Sequence, residues 1–167
     1  MREPVKDRSR LEHILEAIDR ILENTKGMSL EKLNSNDIFY YGLVKNIEIV
    51  GEAAYHLTKA FRDSHTETPW QAIMGMRHVL VHDYYQIDEN EVRYVIEDNL
   101  RPLREQIVKY ISETNWQEWE KSEQVVAETA VHKNLVQTAK RMKSDGMPVE
   151  SIMRYTGLSR EEIEGIQ

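Results

Sequence analysis

The sequence of 167 residues predicts an all-α, up-and-down helical bundle over residues 1–112, followed by a C-terminal helical appendage over residues 113–167. Three observations lead to this fold class. Apolar residues recur every three or four positions, as in amphipathic helices, and nowhere alternate as in strands. The seven glycines and four prolines fall mostly where such runs end, and residues that cap helices stand where they begin.

The first two predicted helices account for the first 62 residues. Ser9 is expected to cap the first helix, and Gly27 is expected to end it. Asp37 is expected to cap a second, long helix that runs from about residue 38 to 62. The apolar residues of this second helix are too many for one narrow stripe, so we expect it to lie at the centre of the bundle.

Two further helices complete the predicted bundle. Thr68 and Pro69 are expected to start a third helix, with Trp70 as a core anchor at its beginning. Asp88 is expected to open a fourth helix through a capping box, and Pro102 should kink that helix.

The appendage is predicted to contain one long helix and a small helix-turn-helix unit. Asn115 is a candidate cap for the long helix, and Gly146 should end it. A short helix follows from Pro148 to Tyr155, and Ser159 begins another capping box. From Glu113 onward the sequence has ten acidic and seven basic residues, which favours a packing or partner-docking role over DNA binding.

Composition narrows the class of protein. The net charge of −7 argues against non-specific binding of long duplexes, because phosphate contacts require lysine and arginine. The absence of cysteine excludes disulfides and thiolate metal sites and indicates a cytoplasmic protein. No signal-peptide pattern or membrane-spanning apolar run is present, so no membrane association is expected.

The segment from Arg77 to Tyr84 is the candidate active site. His78 and His82 lie one helical turn apart, and Arg77 and Tyr84 lie along a neighbouring face. A histidine can transfer a proton near neutral pH, and a guanidinium can hold phosphate oxygens as charge develops. This set suits metal-independent RNA cleavage, and a symmetric dimer would supply a second histidine for the second proton transfer.

Two other interpretations fit the same residues. The histidines can be ordinary, partly buried side chains, with Arg77 paired to Glu48 or Glu52 of the second helix. Two histidines four residues apart can also bind zinc. The segment lacks the glutamate of a HExxH motif, however, and the sequence offers no clear third ligand.

Three segments, in order, resemble the HepT family of HEPN-domain ribonuclease toxins. They are Ile-Glu-Ile-Val-Gly-Glu-Ala-Ala (47–54), Thr-Pro-Trp-Gln-Ala-Ile-Met-Gly-Met-Arg (68–77) and His-Asp-Tyr (82–84). The resemblance covers roughly Leu11 to Ile111. It implies a HEPN-like helical bundle that forms a homodimer, with both motifs facing one cleft. The sequence departs from the family at His78, where the family frequently has asparagine.

The resemblance implies a role for each residue of the segment. His82 corresponds to the catalytic histidine and Arg77 to the phosphate-binding arginine, with His78 as a further candidate catalytic residue. Glu52, which we expect to brace Arg77, and Asp83 are supporting residues. Neither a metal nor a cofactor is implied.

The resemblance also implies a partner. Family toxins are neutralised by small nucleotidyltransferase antitoxins like MntA, which add AMP to the motif tyrosine, here Tyr84, with Tyr85 as a neighbouring alternative. AMP would place a bulky anion beside Arg77 and exclude RNA. The sequence thus predicts a cytoplasmic endoribonuclease toxin that cleaves RNA, with tRNA and mRNA as candidate substrates. The alternative is a non-catalytic helical subunit that binds a nucleotidyltransferase or its substrate.

Overall fold

The computed structural model describes residues 6–30, 37–82 and 88–166, with the helical backbone alone for residues 78–82. These residues form helices and contain no strand, which confirms the predicted all-α class. The helices are α1 (Asp7–Asn24), α2 (Ile38–Tyr55), α3 (Lys59–Ser64), α4 (Trp70–His82), α5 (Glu89–Tyr94), α6 (Leu100–Glu113), α7 (Trp116–Ser144), α8 (Val149–Thr156) and α9 (Arg160–Glu164).

The chain divides into two compact units, residues 1–114 and residues 115–167. In the first unit, which we call the bundle, α1 packs between α2 and α6, and α2 packs between α1 and α4. The prediction that the second helix contacts neighbours on more than one side is therefore confirmed. Apolar side chains of all four helices are buried in the bundle core (among them Leu11, Ile18, Ile47, Ala54, Ile73 and Ile107).

The second helix is shorter than predicted, because the chain breaks between Tyr55 and Lys59 and restarts as α3. The Thr58 hydroxyl caps α3 by accepting a hydrogen bond from the Phe61 amide. The buried carboxylate of Asp7 accepts bonds from the Thr58 amide (2.7 Å) and hydroxyl (2.6 Å). These bonds hold the break at a fixed place against the start of α1.

The other predicted starts are mostly confirmed. Asp37 and Asp88 cap α2 and α5 by accepting hydrogen bonds from the amides two residues later. The capping box predicted at Asp88 is wrong, since Asp88 binds the Asn90 amide and not that of Glu91. Ser9 is not a cap, since α1 already begins at Asp7 after Lys6. The Thr68 hydroxyl, predicted to cap the third helix, instead lies 2.6 Å from the Tyr110 hydroxyl.

Pro102 is accompanied by a local change of helix type. Residues Val95–Asn99, directly before α6, form a π-helical turn between α5 and α6. Proline has no N–H and crowds the carbonyl four residues earlier, which is that of Asp98 within this widened turn. The kink expected at Pro102 itself stays a prediction.

The second unit, which we call the tail, packs the end of α7 against α8 and α9. Its small core contains Ala139, Ile152, Leu158 and Ile163, all buried. The predicted Asn115 cap and Ser159 capping box are both present. Gly146 and Gly157 end α7 and α8 with positive φ angles of 78° and 72°, which glycine adopts without strain.

Within the described part of the chain, every helix is too short or too polar to cross a membrane.

Candidate active site

The candidate site is built where α2 and α4 approach each other at Gly51. A Cβ atom at this position would lie 2.6 Å from the Arg77 Cβ and 3.0 Å from the Ile73 carbonyl oxygen. The first distance is shorter than real side chains show and the second is tighter than most, so any larger residue would require the two helices to move apart. The close approach brings the next residue of α2, Glu52, to the side chain of Arg77.

Glu52 joins a guanidinium and an imidazole at this contact. One of its carboxylate oxygens forms an ion pair with the Arg77 Nε, and the other lies 2.9 Å from the His56 Nε2. The sequence offered both Glu48 and Glu52 as partners for Arg77, and the structure has Glu52. Glu48 instead pairs with Lys45 at 2.8 Å.

Tyr55 completes the cluster of side chains around Arg77. The Arg77 guanidinium carbon lies 5.4 Å from the centre of the Tyr55 ring, in a cation–π arrangement. The His56 ring meets the same tyrosine edge to face, with ring centres 5.4 Å apart. We call Glu52, Tyr55, His56 and Arg77 the junction cluster.

The junction cluster lies at the surface of the bundle. The exposed fraction is 32% for the Arg77 side chain and 41% for Glu52, and it is 56% for Tyr55. Arginine carries five N–H donors, and an ion pair through Nε leaves those on the two Nη atoms to bind an anion. The Arg77 side chain is partly exposed although its Nε is buried, so the arrangement can present the Nη donors to a phosphate group.

The remaining candidate residues follow Arg77 in the sequence. His78 and His82 belong to the helical backbone of α4, whose described range is Trp70–His82. The five steps from Arg77 to His82 correspond to about 7.5 Å along a helix axis. The side chains of both histidines, and all of Asp83, Tyr84 and Tyr85, lie outside the described residues.

The start of α4 is fixed by an aromatic cluster at the other end of the helix. Trp70 is buried, as predicted, and its indole N–H donates to the His65 carbonyl at 2.8 Å. Its ring lies against Phe61 and Tyr110. Burial raises the pKa of Tyr110 to about 12, while its hydroxyl donates to Glu67 at 2.9 Å. This anchoring holds the helix that carries Arg77.

The described side chains do not form a metal site. No group of three histidine, cysteine, aspartate or glutamate residues among them is placed to hold a metal ion. The zinc interpretation depends on the side chains of His78 and His82, which lie outside the described residues, and it stays a hypothesis.

Sequence reasoning missed two members of the junction cluster, Tyr55 and His56. The spacing of Glu52 and His56, four residues apart on one helix, is a signal that was present in the sequence. The contact of Tyr55 with Arg77 joins residues 22 positions apart on different helices, and no local pattern indicates it.

Comparison with known proteins places the bundle in a family. A family model described as "Ribonuclease HepT-like" matches residues 14–110, more than half of the chain. A protein of Caldanaerobacter subterraneus subsp. tengcongensis named as an RNase is 34% identical over 97 residues, which cover 58% of this chain and 87% of that protein. A protein of Thermococcus cleftensis named as a ribonuclease HepT is 29% identical over 94 residues, which cover 56% and 86%.

A third relative, named as an RNase in Methanocaldococcus jannaschii, is 26% identical over 94 residues, which cover 56% of this chain and 86% of that protein. No solved structure is significantly similar to the chain. The family match contains the α2–α4 contact and the whole of α4, and it ends before the tail. The chain therefore belongs to the family of HepT-like ribonucleases.

Proposed function

We propose that the protein is a metal-independent endoribonuclease toxin that is neutralised by AMP addition to Tyr84. The observation that carries the proposal is the position of Arg77. It is held at the bundle surface by Glu52, on the helix that ends at His82, in a HepT-like ribonuclease.

Arg77 is proposed to bind the scissile phosphate. Its Nε forms an ion pair with Glu52, so the Nη donors have a defined direction before RNA binds. Donors fixed in advance stabilise the charge that develops on phosphate oxygens in the transition state without further reorganisation. Glu52 thus acts as a positioning residue for Arg77.

His82 is proposed to transfer protons during cleavage. The RNA 2′-hydroxyl attacks the adjacent phosphorus as it loses its proton, and the bond to the 5′-oxygen breaks as that oxygen gains one. A neutral imidazole accepts the first proton and an imidazolium supplies the second. One histidine cannot hold both states at once, so His82 of a second copy, or His78 of the same copy, is proposed for the other role.

The control mechanism follows from the charge of AMP. A nucleotidyltransferase that transfers AMP from ATP to the Tyr84 oxygen, with loss of the hydroxyl proton and release of pyrophosphate, would add a phosphodiester anion two residues after His82. That anion would compete with RNA phosphate for Arg77, and the bulk of the nucleotide would obstruct the site. Asp83, between His82 and Tyr84, is proposed as a supporting residue of the same segment.

The cleavage proposal is tested with purified protein and RNA transcripts. We expect wild-type protein to cut RNA equally well with and without EDTA, and His82→Ala to lose the activity. His78→Ala measures the contribution of the second histidine. Equal activity of wild type and His82→Ala would contradict the proposed catalytic role, and loss of activity with EDTA would favour the zinc interpretation.

The control proposal is tested separately by co-expression with a small nucleotidyltransferase of the MntA type. Mass spectrometry of the purified chain should find added AMP on the peptide containing Tyr84. Tyr84→Phe should prevent that modification and restore RNA cleavage in the presence of the partner. Modification confined to Tyr85, or to a peptide elsewhere in the chain, would contradict the assignment.

A further inference from the structure

Tyr55 is an exposed aromatic residue that the proposed cleavage chemistry does not use. It is the last residue of α2, and 56% of its surface is accessible to solvent. Tyr40 and Tyr110 of the same bundle are buried and belong to its packed interior. The Tyr55 ring therefore contributes little to the core, and its neighbours at the surface indicate what it could bind.

One of these neighbours is Arg77, which is proposed to bind phosphate. The guanidinium of Arg77 covers part of one ring face at 5.4 Å, and the His56 ring meets Tyr55 edge to face. Because more than half of the residue stays exposed beside these contacts, an aromatic surface is left open directly next to the guanidinium. A nucleotide whose phosphate binds Arg77 would bring its base to this surface.

Stacking would also compensate for the charge of the protein. A net charge of −7 weakens attraction to the RNA backbone as a whole. Aromatic side chains bind bases of any sequence through their flat faces, provided that the bases are unpaired and free to leave the helical stack. An acidic ribonuclease gains affinity from such a contact where general electrostatic attraction is lacking.

We propose that Tyr55 stacks on the unpaired base next to the phosphate held by Arg77, and that this contact makes the site selective for single-stranded RNA. The inference rests on the proposed function, since it assumes that Arg77 binds the scissile phosphate. It adds a substrate class, unpaired RNA, and a residue that selects it.

Binding is measured apart from cleavage, so that the two proposals can fail independently. In a His82→Ala background, the affinity for a fluorescein-labelled single-stranded RNA is compared with that for a duplex of the same sequence. Tyr55→Leu should weaken single-strand binding about 5- to 100-fold, the range expected for loss of one stacked base, and should hardly change duplex binding. Tyr55→Phe should retain the affinity, because phenylalanine keeps the ring.

Tyr41→Leu is the matched control. Tyr41 lies on the same helix with nearly the same exposure (55%), about 21 Å away along the axis. The Tyr41→Leu variant should bind single-stranded RNA with the same affinity as its parent. An equal loss in Tyr41→Leu would contradict a specific role for Tyr55.

A second substrate separates stacking from indirect effects on Arg77. With RNA that carries an abasic nucleotide next to the cleavage position, Tyr55→Leu and its parent should bind equally, since no base remains to stack. An equal loss on abasic and normal RNA would overturn the proposal, because Tyr55 would then act only by orienting Arg77. A changed sedimentation coefficient of Tyr55→Leu with unchanged single-strand affinity would overturn it in favour of an interface between copies.

Discussion

The junction cluster and the tail use their polar side chains in opposite ways. In the tail, Lys143 Nζ donates to the Ile166 carbonyl at 2.8 Å, and Arg160 pairs with Glu150 at 2.6 Å across α8 and α9. These contacts close a helix end and join neighbouring helices. In the bundle, Glu52 and Arg77 bind each other at the surface, beside an exposed tyrosine.

The comparison separates polar contacts that join helices from polar contacts that have no evident role in folding. Each polar contact of the tail described above has a structural role around a small apolar core. At the junction, a glycine allows α2 and α4 to approach closely. This approach brings a cation, a carboxylate and an aromatic ring together at the surface. The proposed function uses this surface cluster of a cation, a carboxylate and an aromatic ring.

The largest stability effect is expected in the tail, without an effect on cleavage. Ile152→Ala removes a fully buried side chain from the tail core and should cost about 2–5 kcal/mol of that unit's stability. The proposed catalytic residues all belong to the bundle, so RNA cleavage should persist. Hydrogen exchange should show lost protection in residues 115–167 alone, whereas Val125→Ala, at an exposed position, should change little. Equal loss of protection in the bundle would contradict this separation.

A smaller stability effect with a large effect on activity is expected at the junction. Gly51→Ala places a Cβ 2.6 Å from the Arg77 Cβ, which should cost about 1–3 kcal/mol and displace Arg77. The rate of RNA cleavage should fall because Arg77 is displaced. Gly42→Ala, on the same helix, meets no described atom within 4 Å and should gain about 0.5–1 kcal/mol from helix propensity. Urea unfolding and cleavage assays compare the two, and similar behaviour would show that the close approach is unimportant.

The smallest effect is expected at the aromatic anchor of α4. Tyr110→Phe removes the hydroxyl contacts with Thr68 and Glu67 and should cost about 0.5–1.5 kcal/mol at neutral pH. Because the pKa of Tyr110 is raised to about 12 in the fold, its stabilising contribution is complete below the unfolded value of about 10. That contribution is lost as the pH rises from about 10 through 12.

Urea unfolding at pH 7, 10 and 11 checks this prediction. Wild type should lose more stability than Tyr110→Phe across the alkaline range, since the variant lacks the titrating group. An absorbance titration at 295 nm should show one fewer late-titrating tyrosine in the variant. The same alkaline loss in both proteins would contradict the role assigned to this hydroxyl.

Local signals explain which parts of the fold were predictable. Asp37, Asn115 and Ser159 cap helices through neighbouring amides, so sequence alone located these starts. The break after α2 was missed because its cause is distant. Asp7 binds Thr58 across 51 residues, and the apolar pattern continues through the break to Phe61.

In the candidate site, too, the local motif was predictable and the contacts between distant residues were not. The motif from Arg77 to Tyr84 is continuous in the sequence and resembles a known family, so it could be identified without a structure. Glu52 was anticipated as a partner of Arg77, whereas the contribution of Tyr55 depends on how closely α2 and α4 pack. That distance is set by Gly51: the Gly-Glu-Ala-Ala segment indicates close helix packing, but not which helix or side chain lies against it.

The most direct test of the account compares two surface ion pairs within the bundle. Arg77 pairs with Glu52 at the junction, and Arg104 pairs with Asp19 between α6 and α1, 2.5 Å apart and with similar exposure. Lysine keeps the charge at either position but cannot reproduce the fork of donors. We predict that Arg77→Lys lowers the rate of RNA cleavage by about 100-fold or more with little change in unfolding free energy, while Arg104→Lys leaves cleavage unchanged. Equal cleavage rates for the two variants would contradict the central claim that Arg77 holds the phosphate.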